Sequence, residues 1–125
     1  MKAQQLPVVC LTLGDPAGIG PELIARLLGQ TDALQHANLV LVGDPWLWAE
    51  GQRIAGVQVA TDAVGSLAEV RARADTTRPA WLAMDTVAPA QVQRSVAQAP
   101  CGASVLQVLN AAMDAAQRGE VDAIC

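Results

Sequence analysis

The residues best placed to do chemistry in this 125-residue chain form one run, Gly14 to Glu22, reading GDPAGIGPE. It holds two carboxylates, Asp15 and Glu22, among Gly14, Gly18 and Gly20. The glycine spacing fits neither the dinucleotide fingerprint GxGxxG nor the phosphate loop GxxxxGK[ST]. A helix start beside the run would offer free N–H groups to an anion, but two carboxylates oppose a simple phosphate cradle. They suit hydroxyls, an amide, or a cation held near a substrate. They equally suit a structural role, with Asp15 accepting loop N–H bonds and Glu22 complementing the helix dipole. Gly18 and Gly20 are expected to supply positive φ or a close approach of ligand to backbone.

Two further polar groups follow apolar runs. Gly43-Asp44-Pro45 reads as a turn and helix cap, and Asp85-Thr86 as the polar end of a strand. His36, the single histidine, falls in a polar connection and reads as solvent-exposed. Cys10, Cys101 and Cys125 lack CxxC spacing and are odd in number, so they read as buried thiols rather than a disulfide framework or zinc site. No catalytic residue and no metal ligand is assigned within these residues.

The elements that must position the run alternate in type. Val8 to Leu13 is a short apolar stretch, as in a strand buried on both faces. Pro21 fits a first helical position, and Leu23, Ile24, Leu27 and Leu28 share a helical face ending near Gly29. Strands are predicted at Asn38 to Val42, Val57 to Ala60, Ala80 to Met84 and Val121 to Cys125. Helices are predicted from Trp46 to about Gly56 and from Gly102–Ser104 to about Arg118, the latter capped by Gly119. Residues 62–77 are a short helix or an ordered loop, and 88–100 a surface connection. Strands alternating with helices imply an α/β fold with a largely parallel sheet covered by helices on both faces. Ligands in such sheets bind beyond the carboxyl ends of the strands, where Gly14 to Glu22 lies.

The nine residues GDPAGIGPE resemble the N-terminal signature of the 4-hydroxythreonine-4-phosphate dehydrogenase family. A looser form, GDGIGPE, opens the isocitrate and isopropylmalate dehydrogenases, which share that fold. The resemblance extends more weakly through Leu39 to Trp46 and Gly102 to Cys125, while Ala49 to Ala99 matches in pattern only. It implies a two-domain fold with the loop lining the cleft, so that Gly14, Asp15, Gly18 and Gly20 would contact cofactor or substrate, with Glu22 a weaker candidate. The implied reaction uses NAD to oxidise a secondary alcohol of 4-hydroxy-L-threonine 4-phosphate, in vitamin B6 biosynthesis, to a β-keto acid that loses carbon dioxide. A divalent metal (Zn, Mg or Co) would polarise the reacting oxygen, held by three histidines, one from the partner subunit of a homodimer. None of the family's metal or phosphate ligands falls in these residues. The alternatives are a sibling acting on a four-carbon sugar-acid phosphate or an aromatic cis-dihydrodiol, or a non-catalytic fragment.

Composition bounds the remaining possibilities. The chain has 52% apolar residues, a net charge of −4, no Phe or Tyr and three Trp, so its core must be built from Ala, Val, Leu and Ile. Eight basic residues against twelve acidic ones exclude a nucleic-acid surface. No stretch approaches the ~20 apolar residues of a membrane span, and the first ten lack a signal-peptide pattern, so a cytoplasmic location is expected. Val121 to Cys125 is an apolar strand without turn or polar tail. That predicts residues 1–125 to be the N-terminal part of a longer dehydrogenase, with its sheet incomplete at the C-terminal end.

Overall fold

The computed structural model describes residues 5–30 and 32–125. Five strands form one parallel sheet: β1 (Val8–Thr12), β2 (Asn38–Gly43), β3 (Asp62–Ala63), β4 (Ala80–Ala83) and β5 (Ala123–Ile124). The spatial order is β3-β4-β2-β1-β5. β1 pairs with β2 from Val8–Asn38 to Thr12–Val42, and β2 with β4 from Val40–Ala80 to Gly43–Ala83. The helices are α1 (Gly20–Gln30), α2 (Ala33–His36), α3 (Pro45–Ala55) and α4 (Ala99–Gln117), with single 3-10 turns at Leu67–Glu69 and Pro89–Gln91.

Strand side chains alternate between faces, and each face has its own core. Val8, Cys10, Val40 and Val42 pack against Val108, Ala112 and Ala115 of α4, with Leu67 and Val70 alongside. Leu11, Leu13, Leu39 and Leu41 pack on the other side against Ala25 of α1 and Leu47 and Trp48 of α3. Trp48 also stacks on Trp81, with ring centroids 6.2 Å apart. The two-sided burial predicted for β1 is thus realised and holds for β2 as well, with helices on both faces.

The third strand lies later than its apolar pattern indicates. Val57 to Ala60 has the alternation of a strand but joins no ladder; β3 is Asp62–Ala63, paired with β4. Gln52 accounts for the difference. Its carbonyl accepts the Val57 N–H at 3.1 Å and its side-chain oxygen accepts the Val59 N–H at 2.8 Å, satisfying the segment locally. The Val57 side chain then packs beside Gly29, where an added Cβ would lie 3.0 Å from it.

The amino ends of the strands are tied by ion pairs. Asp122 accepts the Val8 N–H at 2.8 Å and pairs with Arg71 at 3.0 Å, while Arg73 bridges Asn38 at 2.6 Å and Asp62 at 3.4 Å. The hydrogen bond from Arg71, then that from the Val8 N–H, holds Asp122 below its ordinary value of 3.8. Thr77 lowers Asp75 similarly, and Arg118 lowers Glu120 below 4.5. Carboxylates depressed in the folded state contribute stability above their unfolded values and lose it as pH falls through the folded ones. Urea midpoints measured across a pH series should therefore decline below about pH 4.5, most steeply below about pH 3.8. Added salt should reduce the decline because these pairs are exposed, and Asp122→Asn should flatten it.

Candidate functional site

The carboxyl ends of β1, β2 and β4 meet the start of α4, and the glycine run lies among them. Leu13 is 2% exposed and extends β1, its N–H donating to the Val42 carbonyl at 3.2 Å. Gly14 then turns the chain with φ +79°, a left-handed conformation that disfavours any side chain. Positive φ therefore occurs at Gly14 and at neither Gly18 nor Gly20. Gly20 has a different duty: a Cβ there would lie 2.3 Å from the Leu13 carbonyl oxygen, so α1 can start against the end of β1 only without one. At Gly18 a Cβ would meet the Asp15 carbonyl oxygen at 3.3 Å, a tight but modest contact.

The loop satisfies much of its own backbone. Asp15 Oδ1 accepts the Ala17 N–H at 2.8 Å, its carbonyl accepts the Gly18 N–H at 2.9 Å, and the Ala17 carbonyl accepts the Ser95 N–H at 3.0 Å. Pro16 and Ala17 are buried beneath, while Gly14 and Asp15 remain exposed. The structure therefore brings Gly14, Asp15, Gly18 and Gly20 into one loop, with Gly14 and Asp15 as its open surface. Glu22 points elsewhere, pairing with Arg26 at 3.7 Å on α1. Beside it Arg94 reaches Glu50 at 3.3 Å, over a cavity of about 10 Å³ between Gly18, Pro21 and Gly51, space for about one water.

Asp44 is more than a turn residue. It stands at the cap position of α3 without capping it through its side chain, and it is 1% exposed. Its Oδ1 accepts the N–H groups of Thr86 at 2.7 Å and Val87 at 3.2 Å, and its Oδ2 accepts the Thr86 hydroxyl at 2.5 Å. The Thr86 oxygen lies 2.6 Å from the Ser104 hydroxyl on α4, which is 3% exposed. Asp44 thus joins β2, the segment after β4 and α4. The sequence places Asp44 and Thr86 at the carboxyl ends of strands but reads Asp44 as a turn and cap, Thr86 as a strand end and Ser104 as a helix start. Partners 42 and 18 residues apart leave no local spacing that could reveal them.

Cys101 lies one turn before Ser104 and is equally buried. Burial first, then the neighbouring Asp15 carboxylate, pushes its thiol up. Burial likewise pushes Cys10 up to about 11, whereas Cys125 is exposed. His36 is exposed on α2, 3.2 Å from Asp32 and at the opposite end of β2 from the loop.

A cofactor or metal can be tested against this geometry. Among the described residues no group of three or more His, Cys, Asp or Glu is arranged to hold a metal ion, so a catalytic metal does not fit the side chains here. Of the donors a dinucleotide pyrophosphate could use, the Ala17, Gly18 and Leu23 N–H groups are already engaged and Pro21 has none. The exposed Asp15 carboxylate does fit a hydroxyl-bearing group such as a ribose or the chain of a hydroxy acid.

No family model matches the chain. Individual relatives do. It is 34% identical over 122 residues to a putative 4-hydroxythreonine-4-phosphate dehydrogenase 2 of Rhizobium meliloti, covering 98% of this chain and 34% of that protein. It is 39% identical over 127 residues to the like-named protein of Pseudomonas aeruginosa, covering 99% and 36%. Over nearly its whole length the chain is thus similar to curated proteins named 4-hydroxythreonine-4-phosphate dehydrogenase. It spans about a third of the length of these curated relatives. The solved structure of a putative 4-hydroxythreonine-4-phosphate dehydrogenase from Salmonella typhimurium superposes with TM-score 0.74 at 29% identity, over 94% of this chain and 36% of that one. A Burkholderia phymatum enzyme of the same name reaches TM-score 0.82 at 24% identity, a likeness of fold. A putative D-threonate 4-phosphate dehydrogenase of Symbiobacterium thermophilum is 28% identical over 118 residues, covering 94% of this chain and 35% of that protein.

Proposed function

We propose that residues 1–125 are the N-terminal part of an NAD-dependent dehydrogenase that oxidises and decarboxylates 4-hydroxy-L-threonine 4-phosphate, in the synthesis of vitamin B6. The observation that carries this reading is the GDPAGIGPE loop, set at the carboxyl end of β1 with Asp15 exposed, in a chain whose relatives bear that enzyme's name. In this reading NAD supplies hydride acceptance when bound. The chain's own contribution is to bind and orient. Asp15 would accept a hydrogen bond from a hydroxyl of the substrate or the NAD ribose, its carboxylate steadied by the Ala17 N–H. Gly14 and Gly18 keep the loop surface free of side chains so that the ligand can approach the backbone.

In this reading a divalent metal would be held by residues other than those described here, which offer no ligand set. The whole protein would act as a homodimer in the cytoplasm. A second substrate is favoured by one specific observation, the relatives named putative D-threonate 4-phosphate dehydrogenase. Both substrates are four-carbon hydroxy acids with a terminal phosphate, so one loop could serve either.

NADH formation and carbon dioxide release by the full-length protein, with each of the two phosphorylated acids in turn, test the proposal. NADH with stoichiometric carbon dioxide from 4-hydroxy-L-threonine 4-phosphate is expected. Turnover of D-threonate 4-phosphate alone would assign the sibling activity, and turnover of neither would overturn the reading.

A further inference from the structure

The hydrogen bonds around Asp44 have a fixed direction. Two N–H groups and the Thr86 hydroxyl all point at the carboxylate, which accepts each of them. A hydroxyl carries one proton, and that of Thr86 is given to Asp44 Oδ2. At 2.6 Å from the same oxygen, Ser104 must therefore be the donor. The order is Ser104 to Thr86 to Asp44, anchoring α4 to the carboxyl end of β2 through the segment that follows β4.

That segment continues to the glycine loop. Trp46 Nε1 donates to the Val87 carbonyl at 2.8 Å, and further along the Ser95 N–H donates to the Ala17 carbonyl at 3.0 Å. Ser95 holds φ at +63°, a conformation a serine adopts only when its surroundings impose it. On α4, Cys101 and Ser104 are three residues apart and so share a face, and both are buried. Ser104 thereby sets the angular seating of Cys101, which lies against Asp15 and Ala17. Ala17 is touched from two sides, by Ser95 and by Cys101, and it is the Ala17 N–H that holds the Asp15 carboxylate.

We propose that Asp44, Thr86 and Ser104 are positioning residues: their directional hydrogen-bond chain seats the first turn of α4 and the segment before it against the glycine loop, and so aims the Asp15 carboxylate at its ligand. The proposal rests on the reading that Asp15 contacts substrate or cofactor. It adds three side chains that do not reach the ligand. Misplacing a binding group by about 1 Å is enough to cost one or two orders of magnitude in efficiency, so loosening the chain should be visible in kinetics.

The test uses the full-length enzyme with NAD and the phosphorylated hydroxy acid, comparing Ser104→Ala, Ser104→Thr, Asp15→Asn and the double variant Ser104→Ala/Asp15→Asn. Ser104→Ala should raise KM about tenfold with a smaller effect on kcat, Ser104→Thr should restore it, and Ser104→Ala should add nothing in the Asp15→Asn background. Amide hydrogen exchange of residues 14–20, followed by mass spectrometry without ligand, should quicken in Ser104→Ala and return in Ser104→Thr. Thr86→Ser, which retains the hydroxyl, should behave as wild type and guards against a misfolded Ser104→Ala. Unchanged exchange in the loop, or an equal KM penalty with and without Asp15, would overturn the positioning role. Should Asp15→Asn itself leave KM unchanged, the ligand-contact reading fails separately, and exchange alone decides whether the chain positions the loop.

Discussion

Replacing Gly20 with alanine is expected to lower unfolding stability by about 3 kcal/mol, the upper part of the range for forcing extra atoms into a packed region. The new Cβ would sit 2.3 Å from the Leu13 carbonyl oxygen, a backbone atom that cannot rotate away. Leu13 is fixed twice over. Its N–H is bonded to the Val42 carbonyl, and its side chain fills the space beside Gly43, where an added Cβ would come within 2.6 Å of Leu13 Cδ1. Relief must come from shifting α1, yet α1 crosses α3 at Gly51, where a Cβ would lie 2.5 Å from Pro21. Gly20 and Gly51 thus let α1 approach β1 and α3 without intervening side chains, and Gly43 of β2 leaves room for Leu13. Urea unfolding of Gly20→Ala against the parent chain checks the estimate. A loss under about 1 kcal/mol would mean the contact relaxes freely.

The second large effect is expected at Asp44. Asp44→Ala removes the acceptor of the buried Val87 N–H and of the half-buried Thr86 N–H and hydroxyl. A buried donor left without a partner costs about 1–3 kcal/mol, so a loss of about 3–5 kcal/mol is expected after partial entry of water. Asp44→Asn should cost less, because its carbonyl oxygen can keep one or two of the bonds while its NH2 group faces donors. Thermal unfolding of the two variants should rank them in that order. Equal and small losses would show that water already serves these groups.

These two residues mark where the sequence was legible and where it was not. The parallel sheet could be read because Val8 to Leu13 and Asn38 to Val42 are apolar on both faces, and each face found its own helices. The glycine loop could be read because its nine residues are contiguous. Gly20 was tied to positive φ or the approach of a ligand, but positive φ belongs to Gly14, and what lies close at Gly20 is the chain's own Leu13 carbonyl. Val57 to Ala60 misled because alternating valines are compatible with any extended segment, and only Gln52 supplies the bonds that keep it out of the sheet. Asp44 has the sequence of an ordinary turn before proline. Its role depends on Thr86 and Ser104, which are brought to it by the crossover from β2 to β4 and by the start of α4.

Gly18 separates binding from folding most directly. Unlike Gly20, it has ordinary φ and room for a small side chain beside Asp15 at the cost of a slight shift. If the loop receives NAD or the phosphorylated substrate, Gly18→Val in the full-length enzyme should raise KM for one of them about tenfold or more, while the melting temperature falls only a few degrees. Unchanged KM values together with a lowered melting temperature would contradict the account, leaving GDPAGIGPE as a structural turn between β1 and α1.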